Sequence, residues 1–396
     1  MRKRFVSLFL ICGLMLTACT NSGKEDTTLT ETTSAPSEVT AQTIADETAQ
    51  ESETEAENAQ PEFTGIEISD EALENFSFES SFSGGYYQIL CYSEDTIYFS
   101  DINEGWRLYS YDGEKASLIM DQQAHYVYYY DNCIYFLSDR KVDALEYYPE
   151  GILYKFDTES GNVTKLTDEY VHVPKADETG IYYSKKIDGK FYIYRLDEES
   201  GEEERLYEGY SYYRIGDYEI SRVETGKKGE DEVYDYYLLK GDEKICFLSG
   251  TTVMYDLIHD GVFYCKDWDV VLRTVDLRTG EKNILPIKSG FAFLGDEIYY
   301  CADDPIRCYS LYHWKDEGPE LMYLIGNNLP FDTGYRGNWE DHDILGYGFY
   351  CLERIYSDNK TLYAYVYTPT DVHEYHLAKV GPLDDGSGDY IIDPIH

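Results

Sequence analysis

Positive charge is scarce in this chain. Thirty-three Lys and Arg stand against 76 Asp and Glu, a formal net charge of −43. A surface so acidic excludes the folded part as a binder of nucleic acid or of an anionic membrane surface. Helical periodicity is almost absent, so a helical bundle is excluded. No Gly-x-Ser-x-Gly elbow, His-Glu-x-x-His helix or phosphate-cradling glycine loop occurs, which removes the common hydrolase, zinc-peptidase and nucleotide-binding readings. There is no Cys-x-x-Cys zinc spacing and no EF-hand loop. Abundant instead are short apolar-aromatic runs, 43 tyrosines among them, divided by Gly, Asp and Asn. β-Branched and aromatic residues suit a pleated, half-buried surface, and the chain reads as all-β.

The first eighteen residues differ from the rest. Arg2, Lys3 and Arg4 precede an apolar core from Phe5 to Leu16 that is too short for a mature membrane span. The segment ends Leu16-Thr17-Ala18-Cys19, which resembles the lipobox of bacterial lipoproteins. That resemblance implies cleavage before Cys19, acylation of Cys19 and a mature chain held to a membrane from outside the cytoplasm, at the cell envelope. Residues 19–62 then carry Thr, Ser, Ala, Gln and Glu, no aromatic residue, and Lys24 as the single base against eleven acids. Such a tract cannot offset its ordering entropy and is expected to be a disordered tether. As a neutral coil it spans about 35 Å, and about 140 Å fully stretched.

The expected folded domain is 63–396, with a short capped helix near Ser69 to Phe76. Its repeating unit is a hairpin. Leu153-Tyr-Lys-Phe-Asp157-Thr-Glu-Ser-Gly161 recurs around Asp197 to Gly201 and Asp276 to Gly280, and in shortened form around Asp112. Asp opens the turn because its carboxylate bonds the backbone two residues on, and Gly closes it at positive φ. A buried strand precedes each hairpin: Ile97-Tyr-Phe, Ile134-Tyr-Phe, Ile181-Tyr-Tyr, Val262-Phe-Tyr and Ile298-Tyr-Tyr. Gly348 to Leu352 and a degenerate Tyr218 to Ser221 complete the series. The spacing of about 36 to 51 residues leaves room for four short strands per repeat. This is the pattern of a β-propeller of four-stranded antiparallel blades, seven favoured with six and eight open.

These Ile-Tyr-Tyr, Leu-Tyr-x-x-Asp and Thr/Ser-Gly signatures resemble a group of lipoprotein-anchored propellers of unknown function, akin to the YWTD-type and TolB-type propellers. The likeness covers most of residues 86–380. It implies the architecture and is silent on activity. The chain lacks the Tyr-Trp-Thr-Asp tetrad and the sialidase Ser-x-Asp-x-Gly-x-Thr-Trp box, which weakens the receptor and sialidase analogies.

In a propeller, second-to-third-strand loops and inter-blade connections share one face. Trp106, Trp268 and Trp339 fall in such positions, as do the long segments Asp139 to Glu150, Glu224 to Glu232 and Gly326 to Asp343. Loops on a rigid scaffold are where binding resides, so the candidate binding face is Trp106, Trp268, Trp339, Glu340, Asp341 and His342. The competing reading is that each Trp caps its own blade's core. Glu340 and Asp341 are the acid and base that a glycosidase reading would use, although a charged loop explains the same residues. No cofactor is expected. Ca²⁺ is the ion that the acidic clusters leave open, at Asp197 to Glu204, Asp303-Asp304 and Glu340 to Asp343. Beyond Cys12 and Cys19, seven cysteines remain, an odd number that cannot pair completely. Cys265, Cys301 and Cys351 read as small buried hydrophobes, and Cys301 with Cys308 is the one candidate bridge. The expected function is a ligand- or protein-binding module of the cell envelope, with carbohydrate binding or glycan processing as the alternative.

Overall fold

A computed structural model of the chain describes residues 62–69, 72–73, 89–93, 95–139, 150–229, 231–267, 271–287, 290–302, 310–315, 318–322, 324–326, 351–357, 360–367, 375–382 and 390–395. The strands group into antiparallel quartets. The first is β1 (Leu90–Tyr92), β2 (Ile97–Asp101), β3 (Arg107–Tyr111) and β4 (Ala116–Gln123). The second is β5 (His125–Tyr130), β6 (Cys133–Ser138), β7 (Glu150–Asp157) and β8 (Val163–Lys165). The third, β9 (Val171–Asp177), β10 (Gly180–Ile187), β11 (Lys190–Leu196) and β12 (Glu203–Glu208), is joined to it by a short β7–β9 ladder. The fourth is β13 (Tyr212–Ile215), β14 (Tyr218–Lys228), β15 (Asp231–Lys240) and β16 (Glu243–Thr251). The fifth is β17 (Val253–His259), β18 (Val262–Asp267), β19 (Leu272–Asp276) and β20 (Lys282–Leu285). Next come β21 (Phe291–Leu294), β22 (Glu297–Ala302), β23 (Ser310–Lys315) and β24 (Gly318–Met322). The last quartet is β26 (Cys351–Ser357), β27 (Leu362–Tyr367), β28 (Tyr375–Pro382) and β29 (Tyr390–Pro394), with β25 (Leu324–Gly326) added parallel to β29.

Burial falls from the first two strands of a quartet to the fourth. All five residues of β2 are buried, whereas the three of β8 are exposed. That gradient explains the Ile-Tyr-Phe runs, which are second strands covered on both faces by neighbouring quartets. Tyrosine is abundant because rings pair across the ladder: Phe99 with Tyr109 at 5.7 Å, Phe136 with Tyr154 at 5.6 Å and Tyr300 with Tyr312 at 5.3 Å. Other rings join quartets, as Tyr182 stacks on Tyr212 at 3.8 Å.

Each quartet packs on the next. Leu108 and Met120 of the first meet Ile134 and Phe136 of the second, and Leu137 and Leu153 meet Ile181 and Tyr183 of the third. Tyr182 meets Tyr212, Tyr236 and Phe247 meet Phe263, and Leu257 and Leu272 meet Phe291. Tyr299 and Leu311 then meet Ile355 and Ala364 of the last quartet. Finally Tyr363 and Leu377 of that quartet pack against Ile89, Leu90, Ile97 and Phe99 of the first. This is the radial packing of a β-propeller.

The hairpin turns follow the expected chemistry. Asp157 Oδ1 accepts from the amides of Glu159 (3.0 Å) and Ser160 (2.8 Å), and Asp276 Oδ1 from those of Arg278 (2.8 Å) and Thr279 (3.1 Å). These turns and the first-to-second-strand turns lie at one end of the sheets, here the lower end. The second-to-third-strand loops and the connections between quartets lie at the upper end.

Two expectations change. Glu224 to Glu232 is a hairpin extension of β14 and β15, not a long loop, with Glu224 opposite Tyr234 and Lys228 opposite Asp231. Two facing strands of alternating polar residues continue the ladder more cheaply than a loop that leaves its amides unpaired. The last aromatic anchor is a first strand rather than a second one: β26 begins at Cys351, and Leu362–Tyr367 takes the second place. Residues 140–149 and 327–350, and the segment Phe76 to Tyr87 proposed to close the ring, lie outside the described residues. β25 runs parallel to β29, so the chain leaves it at the upper end and re-enters β26 at that same end.

The N-terminal segment docks at the lower end. Ile66 N donates to Leu277 O at 2.7 Å, and Phe63 and Ile66 join the core shared by the fourth and fifth quartets. Ala72 N bonds the Ser69 hydroxyl at 3.1 Å in the expected cap. Gly280 allows the crossing, since a Cβ there would lie 2.3 Å from Phe63 O.

Two outcomes follow. Hydrogen bonds from the Ser160 amide and hydroxyl and the Glu159 amide hold the Asp157 carboxyl below its ordinary value, and Ser200 does the same for Asp197. A carboxylate with a depressed folded pKa contributes stability above its unfolded pKa and loses it as pH falls through the folded value. Urea midpoints should therefore drop below the ordinary aspartate range, and less steeply in Asp157→Asn; equal slopes would contradict this. Gly280→Ala should lower the melting temperature by several degrees and expose the 62–69 segment to protease, whereas Gly113→Ala, with no neighbour within 4 Å, should cost only its positive-φ strain, about 1 kcal/mol.

Candidate functional site

A cleft of 270 Å³ opens at the upper end between the third and fourth quartets. Its lining includes Lys190 and Phe191 from the start of β11, Glu208, Gly209 and Tyr210 from the connection between the quartets, and Arg222, Glu224 and Tyr234 from β14 and β15. The connection is pinned on both sides. Gly209 N donates to Phe191 O and Tyr210 N to Arg222 O, each at 2.9 Å, while the Ser221 hydroxyl donates to Glu208 O at 2.8 Å. A Cβ on Gly209 would stand 2.5 Å from Ser221 Oγ, so only glycine passes here unhindered.

The floor of the cleft is a buried charge pair. Arg222 Nη1 donates to Asp256 Oδ2 at 3.1 Å, with side-chain exposures of 8% and 4%. Tyr213 Oη donates to Asp256 Oδ1 at 2.6 Å and Tyr236 Oη to Asp256 Oδ2 at 2.5 Å. The guanidinium lies over the Tyr210 ring at 4.3 Å and the Tyr234 ring at 5.0 Å. Burial works against the Arg222 charge, but the Asp256 carboxylate overrides it and keeps the guanidinium pKa well above its ordinary value. Burial, reinforced by Asp256, pushes the Tyr213 and Tyr236 hydroxyls far up, so both stay protonated donors. Arg222 Nε is buried and has no hydrogen-bond partner.

Behind the cleft the backbone is strained. Tyr126 and Val173 hold φ of 51° and 48°, next to register breaks in the β5–β6 and β9–β10 ladders. For a β-branched residue this region is an outlier worth of order 1–3 kcal/mol. Val173, Phe191 and Tyr210 form one buried group against which Tyr126 packs. Phe191 and Tyr210 meet edge-on at 4.7 Å.

On the rim, Lys190 Nζ bonds both Glu208 oxygens, at 2.9 and 3.0 Å. Lys186 lies over the Phe191 ring at 5.1 Å. Burial, with the Glu232 charge added, raises the Glu224 carboxyl pKa.

Of the candidate binding-face residues and the lipid-anchor Cys19, Trp106 alone lies among the described residues; Cys19, Trp268, Trp339, Glu340, Asp341 and His342 fall outside them. Trp106 is not in the cleft. It is half-buried at φ 65°, packs on the core of the first quartet and meets the His125 ring at 4.6 Å. Its carbonyl accepts from Ala124 N at 2.8 Å. In the Asp197–Glu204 run, Asp197 caps its turn at Ser200, Glu198 pairs with Lys155 of the second quartet, Glu203 accepts from Lys185 and Tyr183, both at 2.5 Å, and Glu204 from Arg195 at 2.6 Å. Asp303-Asp304, Glu340 to Asp343 and Cys308, and with it the Cys301–Cys308 bridge, lie outside the described residues. The cleft residues carried a signal that went unused. Arg222 is in phase with buried Ile220, and Asp256 with buried Ile258, so two opposite charges occupy the apolar face of their strands.

No protein-family model matches the chain, and no curated protein matches it. Solved structures do resemble it. A puromycin-hydrolyzing peptidase of Mycobacterium tuberculosis shares 12% identity at a TM-score of 0.50, over 84% of this chain and 55% of that one. The β-propeller domain of the Trilobed protease from Pyrococcus furiosus gives 0.45 at 12%, over 76% and 93%. TolB from Acinetobacter baumannii gives 0.40 at 14%, over 56% and 62%. The chain thus spans about half the length of the peptidase it matches, and at these identities the likeness concerns the fold alone.

Gly209→Ala should push the connection off Ser221 and unseat Tyr210 from Arg222, costing about 2–4 kcal/mol by chemical denaturation. Near-wild-type stability would contradict the close approach. Cys265 is fully buried, and burial, helped by the Asp256 charge, pushes its thiol up to about 12. It should resist iodoacetamide in the native chain at pH 8 and react once the chain is unfolded, as read by mass spectrometry.

Proposed function

We propose that the chain is a binding module of the cell envelope: a closed seven-bladed propeller, lipid-anchored through Cys19, that holds a protein or ligand partner in the upper-face cleft. Two observations support the ring: the seven quartets, and the packing of the last on the first through Tyr363, Leu377, Ile97 and Phe99. The observation that carries the binding reading is the cleft itself. Aromatic walls, a clamped guanidinium with an unused donor and carboxylates on the rim stand together at a seam between blades, on strands rather than on long loops.

Residues 62–69 dock at the lower end, opposite the cleft.

The test is capture by the full chain in detergent, offered an extract of surface proteins and, separately, purified cell-wall glycans. The double substitution Lys190→Glu with Glu224→Lys should abolish capture. Glu281→Lys, on an exposed lower-end turn, should leave it intact. Capture unaffected by the double substitution would move the binding site elsewhere.

A further inference from the structure

We propose that the cleft between the third and fourth quartets takes an uncharged, polyhydroxylated ring: a neutral pyranose unit of a glycan. This names the ligand class for the cleft and rests on the binding reading above.

Both cations of the cleft lining are already matched, while Glu224 adds a further carboxylate. Arg222 is paired with Asp256 beneath it, and Lys190 with Glu208 on the rim. An anionic ligand would have to break the Lys190 pair and lie beside Glu208 and Glu224. A cationic one would find the facing surfaces of Tyr210 and Tyr234 already occupied by the guanidinium. A purely apolar ligand would strand the buried Arg222 Nε–H, which has no partner in the protein, and would desolvate the carboxylates.

Hydroxyl groups resolve each of these conflicts, because each both donates and accepts. They accept from Arg222 Nε and Lys190, donate to Glu208 and Glu224, and carry no charge that would oppose either pair. The C–H face of a pyranose suits the small exposed edges of Phe191 and Tyr210, which are 5% and 6% exposed. Residues Gly189, Gly209 and Gly226 line the cleft without side chains, leaving its 270 Å³ for the ring. The strain held at Tyr126 and Val173 behind these walls is consistent with a preshaped site.

Calorimetry with the full chain, using cellobiose, chitobiose and maltotriose as neutral probes, digalacturonate as anion and trilysine as cation, tests this. At least one neutral sugar should bind, with affinity steady within about twofold between about 50 and 500 mM NaCl, since no net charge is exchanged. Glu208→Gln and Glu224→Gln should each weaken it about tenfold, the loss of one charge-assisted hydrogen bond; Glu281→Lys should not. Preference for digalacturonate or trilysine, with affinity falling steeply in salt, would overturn the sugar class while leaving the cleft as a binding site. No sugar binding, with envelope capture still lost on Lys190→Glu and Glu224→Lys, would likewise reject the sugar and retain the cleft. No sugar binding together with capture indifferent to the cleft would reject both.

Discussion

The upper face between the third and fifth quartets is built around one buried charge. Asp256 sits on β17, a first strand, and gathers donors from three other strands: Tyr213 on β13, Arg222 on β14 and Tyr236 on β15. A carboxylate removed from water is costly unless it is fully hydrogen-bonded, and here three donors share it. The same bonds dictate where the fourth quartet stands relative to the fifth. Arg222, once drawn down to Asp256, offers its flat faces to Tyr210 and Tyr234, and so fixes the connection that walls the cleft. Packing, polar satisfaction and the shape of the cleft therefore meet at a single side chain.

That pair matters because the remainder of the domain is repetitive. Quartet upon quartet is joined by similar aromatic contacts, and a stack of similar sheets has little to specify one junction over another. Turn aspartates such as Asp157 shape each hairpin locally, while the Tyr182–Tyr212 stack and the Tyr236–Phe263 ring contact join neighbours and gain direction only through the hydroxyl bonds of Tyr212 to Asp177 and of Tyr236 to Asp256. A charge with a fixed set of donors is directional. It fixes the stance of the fourth quartet on the fifth.

Much of the architecture was legible in the sequence because propeller hairpins have strict local chemistry. The Asp-to-Gly turn must supply a carboxylate acceptor and a positive φ, and Ile-Tyr-Phe runs mark strands covered on both faces; both appear where the residues indicated. The 224–232 segment misled because its Gly, Lys and Glu content reads as a loop, although a polar two-stranded extension has the same composition. The site was harder to see. Trp106, the one proposed binding-face residue among those described, packs against the core and the His125 ring. Arg222 and Asp256, by contrast, are distant in sequence and look like ordinary strand residues. Only the pairing of blades across a seam brings them together, and no local pattern encodes that seam. Their one visible mark was a charge on an apolar phase.

The most direct test of this account is a double-mutant cycle on the pair, with Arg222→Met, Asp256→Leu and the double substitution compared by urea denaturation. Each single change strands a buried charge or its donors and should cost about 3–5 kcal/mol. The double change removes both charges and should cost much less than the sum, a coupling above about 2 kcal/mol. Additivity within about 0.5 kcal/mol would show that Arg222 and Asp256 act independently, and the cleft would then owe its shape to something other than this pair.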